Sequence, residues 1–266
     1  MAKTTFDKPL LKEMITIDDV LERLDLIIAE CEAGEDALGY FAVMYRRVTY
    51  RIKEHIEMGT FEDNPRMEEL DVVFARMYID AYDDYRKSRK VAASWQKAFD
   101  LAKETWPITM QHLLIGMNAH INLDLGIATA KVAGNKPIED LEKDFYHINA
   151  ILASLVDDIQ HNLSTIWPPL RFILRKTGKY DNMLVDFSMK MARDGAWRFA
   201  KELYYTPQSE IDHCIQVRDE AIARKTYLIK SDKKYFRFIL WMIRIGERGR
   251  VSEKIRKLRF EEKLEK

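Results

Sequence analysis

His120 and Asp124 lie four residues apart in a stretch, 106–130, where Asp124 is the only formal charge. At about 100° per residue this spacing puts both side chains on one side of a helix. A carboxylate beside an imidazole fixes the ring's tautomer and leaves its other nitrogen to take or give a proton. The spacing also suits two ligands of a divalent metal such as zinc on one helical face. The plainer reading is a satisfied pair that locks the core. Gln111, Asn118 and Asn122 fall on one side of the same wheel, and His112, Gly116, Ala119 and His120 on the other. A buried polar group left unpaired costs roughly 1–3 kcal/mol, and a buried carboxylate more, so neighbouring helices must supply partners. Asn118 and Asn122 are expected to bridge backbone groups of a neighbour, and Asp144 and Asn149 to tie helices together. Arg46 and Arg47, within the apolar stretch 44–48, are the candidates to neutralise Asp124, because guanidinium meets carboxylate in a bidentate fork. His112 and His147 read as ordinary. Asp157 and His161 repeat the four-residue spacing at a charged helix end.

The string Leu114-Ile115-Gly116-Met117-Asn118-Ala119-His120-Ile121-Asn122-Leu123-Asp124-Leu125, followed by Asp144-Phe145 and Asn149, resembles a bacterial domain-of-unknown-function family. The hallmark of that family is Gly-x-Asn-Ala-His-Ile-Asn-x-Asp-Leu, then Asp-Phe/Tyr-x-x-Val-Asn; Ile148 stands where the family has Val. Leu70-Asp71, Phe74-Ala75 and Tyr78 look like its preceding helix, and the resemblance runs from about Phe41 to Leu163. It brings no assigned activity. A weaker likeness is to zinc-dependent phospholipase C proteins, all-helical enzymes in which Leu-Gly-x-x-x-His-x-x-x-Asp binds zinc. Ile115-Gly116-(x3)-His120-(x3)-Asp124 fits that spacing, but those enzymes use several further histidines and this chain has 6 in all.

The elements that must position these residues are marked by caps and breakers. Thr16 with Asp18 and Asp19 opens a helix, a second runs from about Asp36 to Met58, and Gly59 ends it. Asn64-Pro65 reads as N-cap and first position of a third. Trp95 to Ala102 marks a short helix before Trp106-Pro107. The central helix, about 107–133, is apolar on all sides, which in a globular protein means burial among other helices. Further helices are expected at about 137–166, 181–205, 206–229 and 232–246, then a charged tail from about 247. No strand alternation, repeat or linker interrupts the pattern. The sequence therefore predicts a single all-α domain over 1–266, a multi-helix bundle around the buried central helix.

Lys plus Arg and Asp plus Glu both total 43, a balance that gives no electrostatic case for nucleic acid. Cys31 and Cys214 match no metal spacing, and the start of the chain lacks a signal-peptide core, so a cytoplasmic protein is expected. Asp124 and the polar residues around it argue against a transmembrane segment. Tyr235–Ile245, flanked by Lys and Arg, is suited to a membrane surface or to docking on the core or on a second copy as a homodimer. Two functions compete. One is an enzyme, a hydrolase or proton-transfer catalyst acting through His120 and Asp124 on an apolar or lipid-like small molecule. The other is a non-catalytic helical protein binding a hydrophobic ligand or partner. A pocket lined by His120 favours the first and a solid core around it the second.

Overall fold

The computed structural model describes residues 15–167, 179–230 and 241–259. The calls on the side chains of Asp157 and His161, and on 235–240, lie outside the described residues. The described chain is all-α: α1 (Ile17–Ala33), α2 (Gly39–Glu57), α3 (Asn64–Arg86), α4 (Ala93–Asp100), α5 (Thr109–Ala119), α6 (Leu125–Ala133), α7 (Glu142–Ile166), α8 (Lys179–Tyr205), α9 (Ile211–Lys230) and α10 (Val251–Leu258). Among the described residues no helix is long and apolar enough to cross a membrane.

Local chemistry sets the starts. The Thr16 hydroxyl accepts the Asp19 N–H while the Asp19 carboxylate accepts the Thr16 N–H, closing a capping box at α1. At α3 the cap is Asp63, whose carboxylate accepts the Arg66 N–H, one residue before the expected Asn64. Asp144 reinforces that start from α7. Its two oxygens accept the Glu62 and Asp63 N–H groups at 2.8 and 2.9 Å.

The expected central helix is present as α5 and α6, joined by a π turn over His120–Asp124. It threads all three apolar clusters of the interior. Leu113 and Ala119 pack with α1, α2, α3 and α4. Leu125 and Ala128 pack with α3, α7 and α8. Leu123 and Ile127 meet Phe199, Leu203 and Ile222. Its burial is not complete, because Leu114 faces out and Asn118 and Asn122 are half-buried.

The charged stretch from about 247 is more than a tail. It carries α10, whose Ile255 and Leu258 are buried in the first cluster. Arg256 and Arg259 pair with Glu32 at the surface, while Lys254 is buried against Glu247 at 2.6 Å. Residues 241–246 are helical, and Trp241, Met242 and Ile245 are about half or more exposed.

Candidate functional site

The π turn forms the centre of the site. Leu125 N–H donates to His120 O, an i→i+5 bond, and such turns recur at functional positions. Within it His120 Nδ1 lies 3.1 Å from Asp124 Oδ2. Trp95 of α4 donates its indole N–H to the same oxygen at 2.9 Å. With Asp124 ionised and Oδ2 accepting from both, the imidazole proton lies on Nδ1 and Nε2 is the bare nitrogen. Nε2 has no hydrogen-bond partner among the described residues. His120 is 3% exposed and Asp124 2%. Burial pushes the Asp124 carboxyl up and the His120 imidazole down, while their mutual attraction opposes both shifts.

Rings enclose the imidazole. Phe74 of α3 lies flat on it, 3.6 Å between centroids with 5° between planes. Tyr45 meets it edge-on at 4.5 Å, and Phe41, Trp95 and Tyr78 stand 5.7 to 6.2 Å away. The space above Gly116 is filled as well. A Cβ built there would lie 2.5 Å from Phe41 Cδ2, so the glycine serves close packing by α2. Around Tyr45 lie the Thr49 hydroxyl and the buried Asp71 carboxyl, both of which act on the Tyr45 hydroxyl. Burial and the neighbouring Glu68 push the Asp71 carboxyl up to about 8.

Arg46 and Arg47 do not neutralise Asp124. Arg46 turns outward to Asp25 at 2.7 Å, and Arg47 donates to the Leu258 carbonyl of α10 at 3.3 Å. Adjacent residues on a helix point about 100° apart, and neither points at the π turn; Trp95 is the donor that meets the carboxylate. Asn118 donates to the Ile222 carbonyl of α9 and receives the Asn122 amide. Arg218 donates to the Asn122 carbonyl, so the Asn side of the helix is a seam to α9. Asp144 is the α3 cap described above, and Asn149 sits half-buried on α7. Among the described residues no group of three or more His, Cys, Asp or Glu could hold a metal ion. Among the described residues, the two that the sequence offers to a divalent metal such as zinc, His120 and Asp124, are engaged with each other.

Two cavities approach this centre. A cleft of about 310 Å³ opens between α2, the start of α5 and the segment from Arg244 to Lys254. A smaller cavity of about 20 Å³ is lined by Leu38, Phe41, Tyr78, Trp95, Phe99 and Gly116, among others. His112 borders both, and His120 borders neither. Nothing in the sequence sets His112 apart from an ordinary histidine. Burial, with Lys254 and Arg244 nearby, holds its imidazole down at about 4. Trp95, Phe41 and Phe74 were legible only as apolar helix positions, and no spacing signal set them apart.

No curated protein and no solved structure matches the chain. A family model does match, over residues 17–232, a span that holds the His–Asp pair and every ring named around it. The chain belongs to that family, described as a family of unknown function (DUF5995).

Proposed function

We propose that the protein is a cytoplasmic enzyme in which His120, oriented by Asp124, moves a proton on an apolar or lipid-like small molecule, in hydrolysis or proton transfer. The observation that carries this reading is that Nε2 of His120 is buried with no hydrogen-bond partner among the described residues, while Nδ1 is tied to Asp124 and Asp124 to Trp95. A carboxylate holding one imidazole nitrogen so that the other is a free base is the usual arrangement of a general base. A pair that served packing alone gains nothing from an unpartnered buried nitrogen, which costs roughly 1–3 kcal/mol.

A second reading, the non-catalytic helical protein binding a hydrophobic ligand or partner, is the one that the pocket criterion favours: His120 lines neither cavity, Phe74 lies flat on the imidazole and Phe41 fills the space over Gly116. The test is hydrolysis of p-nitrophenyl acetate and p-nitrophenyl octanoate by the wild type and His120→Gln, with unfolding midpoints measured on both. Loss of the imidazole should lower turnover by about 10²–10⁴-fold. Turnover that is equal in the two proteins, or absent from the wild type, would favour the second reading.

A further inference from the structure

His112 borders the larger cleft from the opening turn of α5 and is 9% exposed. Its ring meets Tyr40 edge-on at 5.5 Å. No described residue gives or takes a hydrogen bond at either of its nitrogens. In contrast to His120 Nε2, neither nitrogen is sealed from open space. Burial and the cations of Lys254 and Arg244 keep the imidazole neutral, at about 4. It therefore holds one N–H donor and one bare acceptor.

The charges around the cleft are already matched. The Lys254 ammonium lies 2.6 Å from Glu247, and the Arg244 guanidinium 3.7 Å from the same carboxylate. Glu247 also accepts the Thr109 N–H. Lys103 pairs with Asp100 at 3.0 Å, and Glu35 accepts the N–H and hydroxyl of Ser252. Glu104 and Arg250 are exposed to solvent. The Tyr40 hydroxyl is engaged with Thr109. An ion entering the cleft would lose hydration and gain no fixed countercharge of its own. An uncharged molecule meets no such penalty. Ala37, Ala102, Pro107 and Val251 give it apolar wall, and the volume, about 310 Å³, is at the lower end of small-molecule sites.

We propose that this cleft binds a small uncharged molecule with an apolar body and one carbonyl or amide group, which hydrogen-bonds to His112. The body lies against Ala37, Ala102, Pro107 and Val251, and the imidazole supplies the contact that orients it. Apolar wall with a few placed polar groups is the ordinary make-up of a site for such a molecule. The site goes beyond the reading of His120, which borders neither cavity, and stands or falls apart from it.

The experiment compares molecules of one shape and different charge: benzamide, benzoate and benzamidine, which are neutral, anionic and cationic at neutral pH. Binding to the full chain is followed by NMR through the imidazole ring signals, with that of His112 assigned from His112→Phe. Benzamide should bind about tenfold tighter than either ion or more, since burying an unmatched charge costs more than a neutral hydrogen bond returns. It should also shift the His112 ring signal. His112→Phe keeps a ring against Tyr40 and removes the hydrogen bond, and should weaken benzamide roughly 2- to 12-fold. Ala102→Trp fills the cleft from another wall and should abolish benzamide binding; it decides the matter if His112→Phe lowers the unfolding midpoint. Benzamide that fails to bind at its solubility limit, binds no tighter than the ions, or leaves the His112 signal in place overturns the site. So does benzamide affinity that is unchanged in either variant once that variant is shown to be folded.

Discussion

A single methyl group tests the packing beside the candidate site. In Gly116→Ala the new Cβ would stand 2.5, 2.8 and 3.1 Å from three carbons of the Phe41 ring. The ring has little room to retreat, because Tyr78, Trp95 and Tyr45 pack around it at 4.9, 5.6 and 5.8 Å. Two terms oppose each other. Alanine gains about 0.5–1 kcal/mol over glycine within a helix. Overpacking of a tight core costs about 1–3 kcal/mol. With Phe41 held from behind, the second term wins, for an expected net loss of about 1–2 kcal/mol. Gly195 of α8 provides the contrast. Its nearest neighbour, Arg218 Nη2, would be 3.6 Å from a Cβ, an ordinary contact. Gly195→Ala should therefore stabilise by about 0.5–1 kcal/mol. Urea unfolding of both variants reads the two signs. In a Phe41→Leu background the cost of Gly116→Ala should shrink, since the pair is in contact and couples. A Gly116→Ala protein as stable as the wild type would refute the close packing at this point.

Other outcomes follow from the same geometry. Asp71 keeps in the fold a proton that the unfolded chain gives up near pH 4, because burial raises its carboxyl to about 8. Its contribution to stability therefore falls as pH rises between about 4 and 8, and Asp71→Asn should gain on the wild type over that window, by on the order of 5 kcal/mol at most; thermal melts across pH check it. Asp124→Asn keeps an acceptor for the Trp95 indole and should be milder than Asp124→Leu, by about 1–2 kcal/mol. Equal losses in thermal unfolding would mean that the charge itself matters. Ile255→Ala removes a fully buried side chain of α10 and should cost about 2–5 kcal/mol. A near-neutral result in denaturant melts would show that α10 is not part of the core.

Much of the architecture was legible because it is written in local signals. Thr16 with Asp19 and the proline at 65 fixed helix starts to within a residue. The near absence of charge over 106–130 located the helix that threads the interior. The His120–Asp124 contact followed from spacing alone, since i and i+4 share a face. Partners across helices were not legible. Nothing in the sequence places Trp95 against Asp124 or Arg47 against the last carbonyl of α10, because those pairings depend on how helices cross. The charged end read as a tail for a related reason. Eight residues with two apolar anchors, Ile255 and Leu258, give little periodic signal amid seven charges over 253–262. The π turn was hidden as well, since its residues are ordinary helix formers and only the backbone bond from Leu125 to His120 reveals it.

That turn also has a bearing on chain length. An i→i+5 turn holds one residue more than an ordinary turn of α-helix. On its two sides the helix presents glycines to different neighbours: Gly116 to Phe41 of α2, and Gly126 to Phe199 and the Ala196 carbonyl of α8. Removing one residue within 120–124 would let the turn heal into plain α-helix. Removing one elsewhere between Gly116 and Gly126 would turn one glycine relative to the other by about 100° and drive a side chain into a seat that a glycine keeps clear. Among members of the family, a difference of one residue between these two glycines therefore has one place to sit, and a relative shortened there would have lost the four-residue spacing of His120 and Asp124.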